Sequence, residues 1–262
     1  MSELPYANKS LGQHWLTDRA SLQAICAAAR LSKDDVVLEI GSGLGTLTEL
    51  LVAQAGTVVA VEFDEKLADE LPGRIKADNL EIISQDILKF DFSSLPPGYK
   101  IVANIPYYLT SNLIRVLSEA SNTPSLAVLL VQKEVAERVA AKPGSMSTLS
   151  VTAQYYWQAS LGQLVPAELF TPPPKVDSQV LILQKRPEPL FSKVDTKAFF
   201  AVVKAGFSER RKKLRSSLSG GLHLSKTEVE LVLAKAGIDP NLRAQALSLD
   251  DWHDIYQALH SR

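Results

Sequence analysis

Apolar positions along the chain fall into short unbroken runs separated by amphipathic stretches. Leu22, Ile25, Cys26 and Ala29 recur at three- and four-residue intervals, which predicts a helix over 18–30. Beyond it the two textures alternate. Strands are predicted at 36–40, 57–63, 80–84, 100–104 and 126–131. Helices are predicted at about 45–54, through Leu67 and Leu71, near 109–120 and near 133–141. Strands without polar alternation are buried on both faces, so the pattern implies an α/β fold: a mostly parallel sheet with helices on both sides. Two further β-rich stretches, 150–156 and 176–184, predict an antiparallel pair at the sheet edge.

After Arg186-Pro187-Glu188-Pro189 helical periodicity takes over. We therefore expect two domains, 1–189 and 190–262, the second small and α-helical. Ser225 and Glu228 have capping-box spacing, Val229, Val232, Leu233 and Ala236 form one stripe, and Gly237 follows as a stop. Trp252, Ile255, Tyr256 and Leu259 mark a last helix.

Composition narrows the class. Hydrophobic residues make up 46% of the 262, enough for a packed core, yet no apolar run reaches the roughly 18 residues of a membrane span. Residues 1–10 hold no signal-peptide core, so a cytoplasmic protein is expected. A single cysteine, Cys26, excludes an internal disulfide and reads as a buried thiol. With four histidines and no ligand spacing, no metal site is expected. The net charge of −1 conceals an asymmetry: residues 193–262 carry 12 Lys and Arg against 8 Asp and Glu, over an acidic remainder. A basic end suits a polyanionic partner.

Candidate chemistry clusters at strand ends. Gly41-Ser42-Gly43-Leu44-Gly45 follows the first long strand, where glycines let backbone approach a ligand. A dinucleotide fingerprint would need glycine at 46, where Thr stands. Glu62 ends the next strand, placed to accept from ribose hydroxyls, and Asp86 follows the third, placed to accept from an adenine amine. Each acid alone would read as a loop residue. With the glycine turn they point to an adenosine-containing cofactor lacking a pyrophosphate.

The fourth strand ends in Asn104-Ile105-Pro106-Tyr107. An adenine amine is a poor nucleophile, its lone pair delocalised into the ring. It needs acceptors that hold its hydrogens and favour a pyramidal nitrogen. The Asn104 side-chain oxygen and a backbone carbonyl of Ile105-Pro106 can supply them, and Tyr107 can stack on the base.

With these motifs the sequence resembles the small-subunit ribosomal RNA adenine dimethyltransferases, whose relatives include the antibiotic-resistance adenine methyltransferases of large-subunit RNA. The resemblance spans nearly the whole chain. It includes Lys9-Ser10-Leu11-Gly12-Gln13-His14-Trp15-Leu16, where the family usually has Asn and Phe at the positions of His14 and Trp15. It also covers Gln132 to Arg138 with Pro143-Gly144-Ser145, Phe170-Thr171-Pro172-Pro173-Pro174-Lys175-Val176-Asp177-Ser178, and Phe207 to Arg215.

The resemblance implies a Rossmann-like class I methyltransferase sheet with S-adenosylmethionine as cofactor. His14 and Leu16 would hold the cofactor's amino-acid end, Gly41 would approach it through backbone, Glu62 would bind its ribose and Asp86 its adenine. Asn104 would lie against the cofactor and hold the substrate amine, while Tyr107 and Phe170 sandwich the target adenine. Arg210, Arg211, Lys212, Lys213 and Arg215 would contact RNA phosphates. The implied reaction dimethylates N6 of two adjacent adenosines in the 3′-terminal hairpin of small-subunit rRNA, with that RNA or an immature small subunit as partner and the enzyme a monomer. Two alternatives stand beside it: a large-subunit enzyme of the macrolide-resistance type, and a ribosome-assembly factor whose binding matters more than its methylation.

Overall fold

A computed structural model of the chain describes residues 11–260 apart from 189, 192 and 193. Lys9 and Ser10 of the opening motif, and Pro189 and Lys193 near the expected domain boundary, lie outside the described residues.

The predicted alternation is present. After β1 (Trp15–Leu16) and α1 (Arg19–Ala29) come β2 (Val36–Ile40), α2 (Thr46–Gln54), β3 (Thr57–Glu62), α3 (Glu65–Arg74), β4 (Leu80–Ser84), β5 (Lys100–Asn104), α4 (Thr110–Glu119), β6 (Leu126–Gln132) and α5 (Lys133–Val139). Next follow α6 (Thr148–Tyr156), β7 (Trp157–Val165), β8 (Phe170–Thr171) and β9 (Ser178–Lys185). Seven strands form one sheet in the order β4-β3-β2-β5-β6-β9-β7, parallel from β4 to β6, with β9 antiparallel to β6. β1 and β8 form a separate antiparallel pair, Trp15 opposite Thr171 and Leu16 opposite Phe170.

Burial explains the strands' composition. Leu126 to Val131 are buried without interruption, as are Val58 to Val61. α1 packs on β6 and puts Leu22, Ile25, Cys26 and Ala29 into the same apolar cluster as Val37, Val58, Val102 and Val128. Asp18 caps α1, accepting from Ser21 N. Cys26 is 1% exposed, and burial pushes its thiol up to about 11.

Chain order reverses between β2 and β5: β3 and β4 lie to one side, β6 to the other. Loops leaving the carboxyl ends of those two strands diverge, which opens a cleft there. Gly41 and Asn104 stand at its two lips.

One element differs from expectation. Residues 150–156, predicted as strand, belong to helix α6. Val151, Ala153 and Tyr155 are buried and Thr152, Gln154 and Tyr156 only partly so, an alternation that imitates a strand. Local chemistry overrides it: Ser147 accepts from Ser150 N, and the Ser150 hydroxyl accepts from Ser147 N, a reciprocal cap that starts a helix. The edge strand begins one residue later, at Trp157, and lies beside β9.

Contacts group the chain into two compact units, residues 1–136 with 158–185, and 137–157 with 186–262. The second thus takes in α6 as well as the helices beyond residue 189. Tyr155 explains why: its ring packs against Phe191, Phe199 and Phe200 at centroid distances of 5.2–6.0 Å. That unit is built by α7 (Thr196–Phe207), α8 (Leu214–Leu222), α9 (Lys226–Lys235) and α10 (Leu249–His260). Ser225 and Glu228 form the expected capping box of α9. Gly206 on α7 lets the Trp252 ring of α10 lie against its backbone, where a Cβ would overlap the ring.

Candidate functional site

The loop after β2 takes its shape from three glycines with positive φ: Gly41 at 75°, Gly43 at 54° and Gly45 at 85°. Side chains rarely adopt these angles. Among the described residues a Cβ on Gly41 would meet only the Asn104 carbonyl oxygen, at a contact distance of 3.9 Å, and Gly41 lines the cleft between β2 and β5.

Glu62, at the end of β3, braces this loop. One carboxylate oxygen accepts from Gly43 N at 2.8 Å and the other from Asp64 N at 2.9 Å. Each oxygen keeps a second lone pair. Burial raises the Glu62 pKa, and the backbone N–H bonds oppose that rise. Asp86 lies beyond β4, its side chain accepting from Leu88 N at 3.0 Å.

Two adjoining hollows meet here. Gly41, Glu62, Phe63, Pro106 and Tyr108 belong to the walls of both. The first adds His14, Leu16, Glu39, Asn104, Tyr107 and Phe170; the second adds Gln85, Asp86 and Leu109. All eight residues expected at the cofactor and the base therefore border this cleft of two adjoining hollows, Asp86 in the second and the rest in the first.

Asn104, the last residue of β5, is half-buried, and its side chain makes no hydrogen bond to the described residues. Pro106 turns the chain, and its carbonyl accepts from Leu109 N at 3.0 Å as the helical path into α4 begins. That leaves the Ile105 carbonyl as the freer acceptor of the pair. The Tyr107 hydroxyl bonds the Ser178 hydroxyl at 2.8 Å. The His14 ring stacks on Tyr107 with centroids 5.9 Å apart and planes 22° apart. His14 Nδ1 donates to the Pro172 carbonyl at 2.7 Å, since a carbonyl can only accept. Nε2 is thereby the nitrogen left for a ligand.

Leu16 and Phe170 have less freedom than expected of contact residues. They are 2% and 3% exposed, and both belong to the core cluster that contains Val165 and Val180. The Leu16 carbonyl accepts from the Thr46 hydroxyl, tying β1 to the start of α2.

The sequence pattern gave no role to Glu39. It is 1% exposed on β2, borders the cleft, and neither carboxyl oxygen has a hydrogen-bond partner among the described residues. Burial pushes its pKa up to about 8; the Thr48 hydroxyl is near enough to offset part of this though outside bonding geometry, and the Glu62 charge adds to it. A lone acid inside an apolar strand gives no sign of such isolation until its neighbours are known.

The basic cluster lies in the second unit: Arg210 to Lys213 are on the turn between α7 and α8, and Arg215 is in the first turn of α8. Arg210, Arg211, Lys212 and Lys213 are exposed. Lys213 donates to the Asn241 side chain at 2.8 Å, and Arg215 pairs with Glu230 at 2.8 Å. The side chains of Arg210, Arg211 and Lys212 make no hydrogen bond or ion pair with the described residues and remain open to other anions.

Comparison with known proteins adds the family. The ribosomal RNA adenine dimethylase model matches residues 6–261. The chain belongs to that family. A protein of Dehalococcoides mccartyi named ribosomal RNA small subunit methyltransferase A is 42% identical over 94% of this chain and 86% of its own. A Clostridium acetobutylicum protein of the same name is 39% identical over 97% and 94%. Among solved structures, a dimethyladenosine transferase from Plasmodium falciparum superposes with a TM-score of 0.79 at 26% identity, covering 92% of this chain and 96% of its own. The 23S rRNA methyltransferase ErmE gives 0.78 at 28%, over 94% and 100%.

S-adenosylmethionine is the methyl donor of this family, and the cleft fits it. A glycine backbone lines the cleft, a carboxylate with spare lone pairs stands at the second strand end, and a second acid follows the third. Glu39 and the Ser42 hydroxyl are buried beside the loop without hydrogen-bond partners among the described residues. Among the described residues no group of three His, Cys, Asp or Glu could hold a metal, and no helix is long and apolar enough to cross a membrane.

Proposed function

We propose that this protein dimethylates N6 of two adjacent adenosines in the 3′-terminal hairpin of small-subunit rRNA during ribosome biogenesis. It works as a monomer in the cytoplasm, without a metal, on the RNA or the immature subunit. The observation that carries the reading is Asn104, whose side-chain amide has no hydrogen bond to the described residues and which ends β5 beside Gly41 at the wall of the cleft.

The residues divide the work. Glu62 holds the cofactor's ribose through its remaining lone pairs, Asp86 its adenine, and His14 Nε2 and the Leu16 backbone its amino-acid end. When bound, the cofactor supplies an electrophilic methyl group. The Asn104 oxygen and the Ile105 carbonyl accept the two hydrogens of the adenine amine, turning its lone pair out of the ring plane. Tyr107 and the edge of Phe170 fix the plane of the base. The gain is in orientation, the kind of contribution that proximity makes without a strong base. A target base in structured RNA must leave its stack to reach this cleft.

Arg210, Arg211, Lys212, Lys213 and Arg215 contact phosphates, with the first three contributing most because their charges have no partner among the described residues. Such contacts give affinity and salt dependence, while choice of site comes from RNA shape and unpaired bases.

The large-subunit reading has the likeness to ErmE in its favour. The small-subunit reading is preferred because relatives at 39–42% identity over nearly the full length carry that name. Methylation with labelled cofactor of both unmethylated ribosomal RNAs, followed by nucleoside mass spectrometry, tests it. Dimethyladenosine in small-subunit RNA is expected; label confined to large-subunit RNA overturns it. The assembly-factor reading predicts that cells carrying Asn104→Ala still mature their small subunits normally.

A further inference from the structure

Tyr107 is gripped at two places, and each grip fixes a different degree of freedom. The phenolic oxygen lies on the axis about which the ring rotates. A bond to it therefore cannot set the ring plane, but it stops the tip of the side chain from swinging. The stack on His14 does set the plane. The tip is held by Ser178, whose hydroxyl is 2.8 Å away.

Ser178 is well placed to act as a fixed post. It is fully buried and opens β9, paired across the ladder with Gln132. The preceding carbonyl, of Asp177, accepts from Lys133 N at 3.0 Å. The Asp177 side chain accepts from Ala167 N at 3.0 Å, at the start of the short turn that delivers Phe170 to β8. His14 in turn is tied to the Pro172 carbonyl. One segment, 166–178, thus anchors both grips on Tyr107 and the strand that carries Phe170.

We infer that Ser178 is a positioning residue for methyl transfer: its hydroxyl holds the Tyr107 ring at the angle from which it meets the target base. The inference rests on the reading that Tyr107 stacks on that base. Ser178 itself touches neither base nor cofactor.

The test is single-turnover methylation of unmethylated small-subunit rRNA at saturating RNA and cofactor, using Ser178→Ala, Tyr107→Phe, the double variant and Tyr107→Ala, with cofactor Kd measured by calorimetry. Tyr107→Phe keeps the ring and loses only the bond. Each single variant is expected to slow the step by about 5- to 10-fold, the effect of removing one buried hydrogen bond. The double variant should be no slower than either single, and cofactor Kd should stay unchanged. Multiplied losses in the double variant would mean that Ser178 acts through something other than Tyr107, and would overturn the proposal. A weakened cofactor Kd with an unchanged rate at saturation would overturn it too. If Ser178→Ala does not fold, Tyr107→Phe alone decides: full rate overturns the proposal. Tyr107→Ala separates the two layers, because full activity there would sink the stacking reading itself, whereas loss there with full activity in Tyr107→Phe would sink only the role of Ser178.

Discussion

Two buried carboxyls flank the cleft, and their environments set them different tasks. Glu62 already holds two backbone N–H groups, so it orders the glycine loop as well as offering lone pairs to a ligand. Glu62→Ala should weaken S-adenosylmethionine binding by about 1–3 kcal/mol, the cost of removing charge-assisted hydrogen bonds. Calorimetry reads this directly, and an unchanged Kd would remove Glu62 from the site. Glu39 has no such partners. Its carboxyl titrates at about 8 in the fold against an ordinary 4.5, so the folded chain keeps a proton that the unfolded chain releases between those values. Its contribution to stability is full below pH 4.5, declines as pH rises through this window and is gone above 8. Glu39→Gln, neutral at every pH, should flatten that part of the stability–pH curve. A curve with the same slope as the parent's would show that Glu39 is not held protonated.

At the scale of elements, legibility followed the range of the causes. Glycines 41, 43 and 45, Glu62 and Asp86 were readable because strand–turn–helix signals lie within a few residues of each. The buried parallel strands were readable because nothing polar interrupts them. Residues 150–156 imitate a strand because apolar and polar side chains alternate from Val151 to Tyr155, while the deciding serine cap begins outside that stretch, at Ser147. The Tyr107–Ser178 bond joins residues 71 apart, and no local pattern announces it. The closeness of α7 to α10 was equally hidden, since a glycine inside a helix reads as a weak point until Trp252 is found against it. Gly206→Ala should therefore destabilise the helical unit despite alanine's better helix propensity, by about 1–3 kcal/mol for an overpacked interface. A melting temperature at or above the parent's would contradict that packing.

For the whole molecule, the charge asymmetry of the sequence gains a location. The end that carries the basic excess belongs to the helical unit, and Arg210, Arg211 and Lys212, whose side chains have no partner among the described residues, sit on the turn between α7 and α8. Replacing Arg210, Arg211 and Lys212 together by Ala should weaken RNA binding. The slope of log K against log salt should become shallower by about 2, since each neutralised phosphate on single-stranded RNA accounts for about 0.7. An unaltered slope would take the three residues out of the interface. Catalysis and affinity are thereby assigned to different parts of the chain, which makes the central claim separable from RNA binding. That claim is geometric: the end of β5 grips an adenine amine beside the methyl donor. A crystal structure of the protein with S-adenosylhomocysteine and adenosine measures it most directly. The account predicts the Asn104 side-chain oxygen at hydrogen-bond distance from N6, about 2.7–3.2 Å. An adenine bound in the cleft with its N6 beyond the reach of Asn104 would contradict it.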